Sequence, residues 1–121
     1  MRALILGFVV AAVTLSASSS FAADDRNVTV VNGTGYGIKF LGFNNPGDDE
    51  WSDNEISSVL ANGGNVYVKF NNADKGCKWN IRIDWADEDS GVLWRDVDLC
   101  KIDVITLKYN KATDTTSFTA K

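Results

Sequence analysis

"CKWNIRIDWA", residues 77–86, decides the fold. Trp79, Ile81, Ile83 and Trp85 alternate strictly with Lys78, Asn80, Arg82 and Asp84. A period of two puts one set on each face of an extended strand, so the stretch predicts a strand with one buried side. Residues 65–71 repeat the alternation with Val66, Val68 and Phe70 inward. Residues 28–31, 36–43, 92–97 and 102–109 are rich in the β-branched and aromatic side chains that fit a pleated, half-buried surface. A last strand, 115–120, pairs back through the polar turn "NKATDT", 110–115.

Turn signals separate these runs: Asn32-Gly33, Pro46-Gly47, Asn62-Gly63-Gly64, Lys75-Gly76 and Ser90-Gly91. Short strands at this spacing predict an all-β fold, an antiparallel β-sandwich of about seven strands. One short helix is expected as well. Ser52-Asp53-Asn54-Glu55 has the S-x-x-E form of a capping box ahead of Ile56, Val59 and Leu60, and Asn62-Gly63 can end it.

Ahead of the strands, residues 1–22, "MRALILGFVVAAVTLSASSSFA", carry Arg2, an apolar run and a small-residue stretch ending Ser20-Phe21-Ala22. That pattern predicts a signal peptide cut after Ala22, rather than a membrane anchor, because the apolar run breaks into serines. The expected organisation is a signal peptide over 1–22 and a single β-sandwich domain over 23–121, in the periplasm or secreted. Cys77 and Cys100 are the two cysteines of the chain. In an oxidising compartment they predict a disulfide tying two strand ends across the domain; a redox-active pair would need a spacing such as C-x-x-C.

Beyond the signal, eleven Lys and Arg stand against sixteen Asp and Glu, a formal charge of −5 compared with −4 for the whole chain. With no basic stripe to neutralise phosphates, nucleic acid is excluded as a natural partner. The acids concentrate in two places. "NNPGDDEWSDNE", 44–55, sets Asp48, Asp49, Glu50, Asp53 and Glu55 around Trp51, and "DWADEDSG", 84–91, adds Asp87, Glu88 and Asp89. Asp53 and Glu55 have a structural reading in the capping box, and acids in a hairpin turn commonly bond their own backbone. The functional reading is a metal site. The chain has no histidine and its thiols are expected to be oxidised, so the ion must be hard: calcium or a lanthanide. One turn rarely supplies six to eight oxygens, so a metal-dependent homodimer is expected to complete the shell. In "WRDVDLC", 94–100, regular alternation would place Asp96 and Asp98 on one face with Trp94, opposite Arg95.

Catalysis finds little support. Paired carboxylates suit glycoside hydrolysis, yet so small a domain forms only a shallow cleft and offers no nucleophile motif. The chain is therefore expected not to be an enzyme. Trp79 and Trp85 belong to the buried face of their strand; Trp51 and Trp94 are core residues or platforms for a sugar or partner.

Taken together, "VVNGTGYGI", the acid-rich loop around Trp51, "CKWNIRI", "WRDVDLC" and "ITLKY" resemble a group of small exported bacterial all-β domains often mislabelled argininosuccinate lyase. The lyase label does not fit a short, β-patterned chain without histidine. The acidic profile is similar in type to landiscernin-like periplasmic lanthanide-binding proteins. The resemblance implies a non-enzymatic metal carrier or chaperone with the loop acids as ligands. The alternative is an interaction module that binds a protein or glycan through its acidic and aromatic surface.

Overall fold

The computed structural model describes residues 26–71 and 76–121. The expected signal peptide and its cleavage site lie outside the described residues, as does Lys75 of the expected Lys75-Gly76 turn. The strands are β1 (Val28–Asn32), β2 (Ile38–Asn44), β3 (Asn65–Val68), β4 (Lys78–Trp85), β5 (Gly91–Asp98), β6 (Val104–Asn110) and β7 (Thr115–Ala120). They form a four-stranded sheet, β3-β1-β6-β7, and a three-stranded sheet, β2-β4-β5.

β4 is the strand its alternation predicts. Trp79, Ile81, Ile83 and Trp85 all lie in the core, facing Val28, Val30, Ile105 and Leu107 of the other sheet. Neighbouring strands run antiparallel with one exception. β1 pairs with β6 in parallel, Val30 opposite Ile105. Parallel strands cannot be joined by a tight turn, and here the connection contains β3 and the whole second sheet. Side chains close the sandwich between β5 and β7, where the Trp94 indole N–H donates to the Ser117 carbonyl at 2.7 Å and the Thr116 hydroxyl to the Leu93 carbonyl at 3.2 Å.

The disulfide Cys77–Cys100 is formed, with a Cα–Cα distance of 5.2 Å. It does not cross the domain. It staples the open end of the β4–β5 hairpin, where the Leu99 N–H also donates to the Cys77 carbonyl. In the loop-entropy account a bridge over such a separation contributes about 3 kcal/mol.

Two local expectations fail, each because of a partner strand that the local pattern does not report. Residues 52–60 form no helix. Ser52 and Asn54, read as helix-starting residues, instead serve the outer edge of β2. The Phe43 N–H donates to Ser52 Oγ, the Leu41 N–H to Asn54 Oδ1, and Asn54 Nδ2 to the Lys39 carbonyl. The Ser52 and Glu55 N–H groups donate to the Phe43 and Leu41 carbonyls, and Leu60 exchanges a pair of bonds with Ile38. The Ser52 N–H is thus engaged by Phe43 and not by Glu55. An exposed strand edge needs partners, and this irregular segment covers it.

The second failure is in β5. Trp79 pairs with Val97 but Ile81 with Trp94, so Arg95 and Asp96 together oppose Asn80. Asp96 sits in the left-handed region, φ 54°. This β-bulge turns both Trp94 and Val97 into the core, while Asp96 is exposed. Trp94 therefore does not share a face with Asp96 and Asp98. The only helical turn among the described residues is a 3-10 turn, Leu99–Lys101, capped by the Asp98 carboxylate, which accepts from the Cys100 N–H. No helix of the described residues is long and apolar enough to cross a membrane.

Candidate functional site

The three-stranded sheet has an inner face in the core and an outer face that two sequence devices shape into a cleft. The first is a bulge at Lys39. Ile38 pairs with Trp85 and Phe40 with Asp84, so one extra residue enters β2 and resets its alternation. Phe40 is thereby turned outward while Leu41 and Phe43 go into the core. The second device is Gly42, the next residue on that face. A Cβ there would meet the Phe40 ring at 2.7 Å, so the ring lies across the strand where only glycine leaves room.

Arg82 is the cross-strand partner of Gly42. Its guanidinium carbon lies 5.4 Å from the Phe40 ring centroid and 5.9 Å from that of Trp51. Ser52, pinned to Phe43 through backbone and side chain, fixes the position of the neighbouring Trp51. Arg82 also makes two bonds to the Asp84 carboxylate, Nε to Oδ1 at 3.2 Å and Nη2 to Oδ2 at 3.3 Å. The planar fork of arginine suits stacking and two-point carboxylate pairing together. Gly91 makes room for this pair, since a Cβ there would collide with the Ile83 carbonyl and the Asp84 carboxylate. Lys39 pairs with Asp89 at 3.3 Å. Lys39, Trp51, Arg82, Asp84 and Asp89, with residues 90–93, line an open cleft of about 470 Å³, and Phe40 lies beside it against Arg82.

The acids of the Trp51 segment are arranged differently. Asp48, Asp49, Glu50 and Asp53 are exposed and Glu55 is half-buried. Asp48 Oδ1 accepts from the Glu50 N–H at 3.2 Å, a local turn bond. The base of this loop is held by amides rather than acids. Asn44 donates to the Asp48 carbonyl at 2.9 Å, Asn80 to Asn44 Oδ1 at 3.1 Å, and the Asp96 N–H to Asn80 Oδ1 at 3.1 Å. The chain of bonds explains why Asn80, expected to face solvent, is buried.

Asp87, Glu88 and Asp89 part company. Asp89 joins Lys39 in the cleft, while Asp87 and Glu88 line a separate pocket with Tyr36, Trp85, Tyr109 and Lys111. The Tyr109 hydroxyl donates to Asp114 Oδ1 at 2.8 Å. That bond first, then desolvation and the nearby negative charge, raises the Tyr109 pKa above its ordinary value.

Among the described residues no three of the eight expected metal-binding carboxylates bring oxygens within 4.8 Å of one another. The one group of potential ligand atoms that does converge is Asp98 with Cys77 and Cys100, whose sulfurs are bonded to each other and offer no thiolate. Sequence reasoning passed over Phe40, Gly42 and Arg82. Gly42 within an apolar strand was the available signal, because such a glycine marks close approach of another group.

Compared with known proteins, the chain matches no family model, no curated protein and no solved structure. Its functional reading therefore rests on the geometry above.

Proposed function

We propose that this chain is an exported, non-enzymatic recognition domain of the periplasm, and that the Arg82 cleft binds a neutral saccharide chain. The observation that carries the reading is the Trp51 ring beside the Arg82 guanidinium, 5.9 Å from its centroid, in an open cleft whose charges are already paired, Arg82 with Asp84 and Lys39 with Asp89. An ionic ligand would have to compete with these side chains for its partner. A sugar would not. Its hydroxyls donate to carboxylate oxygens and accept from guanidinium and ammonium N–H groups, while a C–H face lies against the Trp51 ring.

A hard cation ranks second. The carboxylates are numerous, but their placement among the described residues asks for rearrangement or for ligands from a second copy before six to eight oxygens surround one ion. The metal-dependent dimer belongs to that reading.

Isothermal titration separates the two. The mature domain is titrated with a panel of neutral oligosaccharides, then with calcium and lanthanum. The expected result is saturable heat with at least one oligosaccharide, weakened tenfold or more (about 1.4 kcal/mol) in Trp51→Ala. Saturable lanthanum binding that disappears in Asp48→Asn/Asp49→Asn/Glu50→Gln, with no response to any oligosaccharide, would install the cation reading instead. Sedimentation with lanthanum and with chelator then decides the dimer.

A further inference from the structure

The pocket on the other side of the 86–90 turn shares no lining residue with the Arg82 cleft. It has a different chemistry. Trp85, 7% exposed, is the floor. Tyr36 stands edge-on to it, ring centroids 5.7 Å apart at 74°, and Tyr109 tilts against it at 5.0 Å and 48°. Three rings thus meet around a space of about 270 Å³, and Asp87 and Glu88 line its rim.

The walls are held by the core. Asn32, fully buried, donates to the Tyr36 carbonyl at 2.8 Å and to the Leu60 carbonyl at 2.9 Å. Its Oδ1 accepts from the Thr34 N–H and hydroxyl at 3.0 and 2.6 Å. The Ala86 N–H donates to the Gly37 carbonyl, tying the Tyr36 loop to the strand end that carries Trp85. Gly33, whose Cβ would meet Thr106 Cγ2 at 2.7 Å and the Leu107 carbonyl at 2.9 Å, lets this loop close on β6. The backbone that carries Tyr36 and Trp85 is therefore placed before any ligand arrives, which lowers the ordering cost of binding.

One observation points directly at what the pocket takes. The Lys111 ammonium lies 5.7 Å over the Tyr36 ring, so a cation of the chain's own already occupies one aromatic face. The nearby carboxylates, Asp87 and Glu88 on the rim and Asp114 on the Tyr109 hydroxyl, outnumber that single positive charge among the lining residues. Aromatic faces attract organic cations through the ring quadrupole, and a carboxylate rim adds long-range attraction. The ring faces offer no lone pairs, so a metal ion would find only the Asp87 and Glu88 carboxylates on the rim, short of the six to eight oxygens a hard cation takes. We propose that Tyr36, Trp85 and Tyr109 form an aromatic cage for a quaternary or methylated ammonium group, with Lys111 as a tethered competitor that the ligand displaces. The acidic rim would repel an adjoining phosphate, so the ligand is a free ammonium compound and not a phosphocholine headgroup.

The test uses the four-tryptophan mature domain and choline as probe, followed by the Trp85 indole resonance in a 1H–15N spectrum. Choline should shift that resonance saturably, and its uncharged carbon isostere, 3,3-dimethylbutan-1-ol, should bind at least tenfold more weakly. Tyr36→Leu should weaken choline at least tenfold, whereas Lys111→Ala should strengthen it severalfold by emptying the Tyr36 face. Phosphatidylcholine vesicles should not co-sediment the protein. Equal binding of choline and its isostere would overturn the proposal, as would weaker choline binding in Lys111→Ala or no shift of Trp85 at any choline concentration. Vesicle co-sedimentation without response to free choline would overturn the choice of a free ligand. The Lys111→Ala arm keeps the proposal open to refutation should Tyr36→Leu fold poorly, and none of these readouts depends on saccharide binding in the Arg82 cleft.

Discussion

The two acid-rich segments of this chain differ in what surrounds their carboxylates. Around Trp51, the side chains that hold the structure are Ser52 and Asn54, which complete the edge of β2, while Asp48, Asp49, Glu50 and Asp53 are exposed. At the 86–90 turn the acids border defined surfaces, Asp89 beside Lys39 in the cleft and Asp87 and Glu88 beside three aromatic rings. A count of acids ranks the Trp51 segment first. Their neighbours reverse the order, and the residue of that segment on which the proposal rests is the tryptophan.

The largest expected effect comes from the disulfide, which ties the open end of the β4–β5 hairpin that carries the 86–90 turn at its other end. Cys77→Ser/Cys100→Ser should lower unfolding free energy by about 3 kcal/mol in denaturant titration, since the bridge closes the open end of the β4–β5 hairpin. A smaller effect is expected from the edge cover. Asn54→Ala removes an acceptor for the Leu41 N–H and a donor to the Lys39 carbonyl, and should cost about 1–3 kcal/mol. The paired experiment is Asp48→Asn/Asp49→Asn/Glu50→Gln, which should stay within about 0.5 kcal/mol per position because these side chains are exposed. If the triple variant costs more than Asn54→Ala, the roles assigned within the segment are reversed.

Gly42→Ala sharpens the other half. Its methyl group would push the half-buried Phe40 ring away from Arg82, at a stability cost below that of Asn54→Ala because the ring lies on the outer face and can swing aside. Saccharide affinity should fall with it.

The smallest effect concerns Tyr109. Its raised pKa means that the folded state holds the phenolic proton more tightly than the unfolded chain. The associated stabilisation is present below the unfolded value near 10 and is lost as pH rises through the higher folded value. Asp114→Asn replaces the charged acceptor with a neutral one, which weakens the bond and removes the Asp114 charge, so the Tyr109 absorbance transition at alkaline pH should move down toward the ordinary tyrosine value.

How far the sequence carried these conclusions depended on how local each signal was. The strict alternation of 77–86 is a local pattern, and β4 with its four core residues follows it closely. Ser52-x-x-Glu55 is local too, yet the unpaired edge of β2 is a stronger demand than a short helix could meet, and its hydrogen bonds lie ten or so residues away. The bulges at Lys39 and at Arg95–Asp96 shift one residue in a ladder, and nothing in a single strand's pattern reports the partner's register. That one-residue shift turned Phe40 outward and took Trp94 from the face of Asp96 into the core. The three rings of the second pocket come from positions 36, 85 and 109, which only the pairing of two sheets brings together.

The most direct test of the central claim watches the four indole N–H resonances while an oligosaccharide from the neutral panel is added. Trp79 and Trp94 donate to the Gly76 and Ser117 carbonyls inside the fold and should stay in place. Trp51 should shift saturably, together with the Arg82 side-chain resonance, and should not respond saturably to calcium or lanthanum. A Trp51 resonance unmoved by every sugar, alongside saturable lanthanum shifts at Asp48, Asp49 and Glu50, would contradict the account.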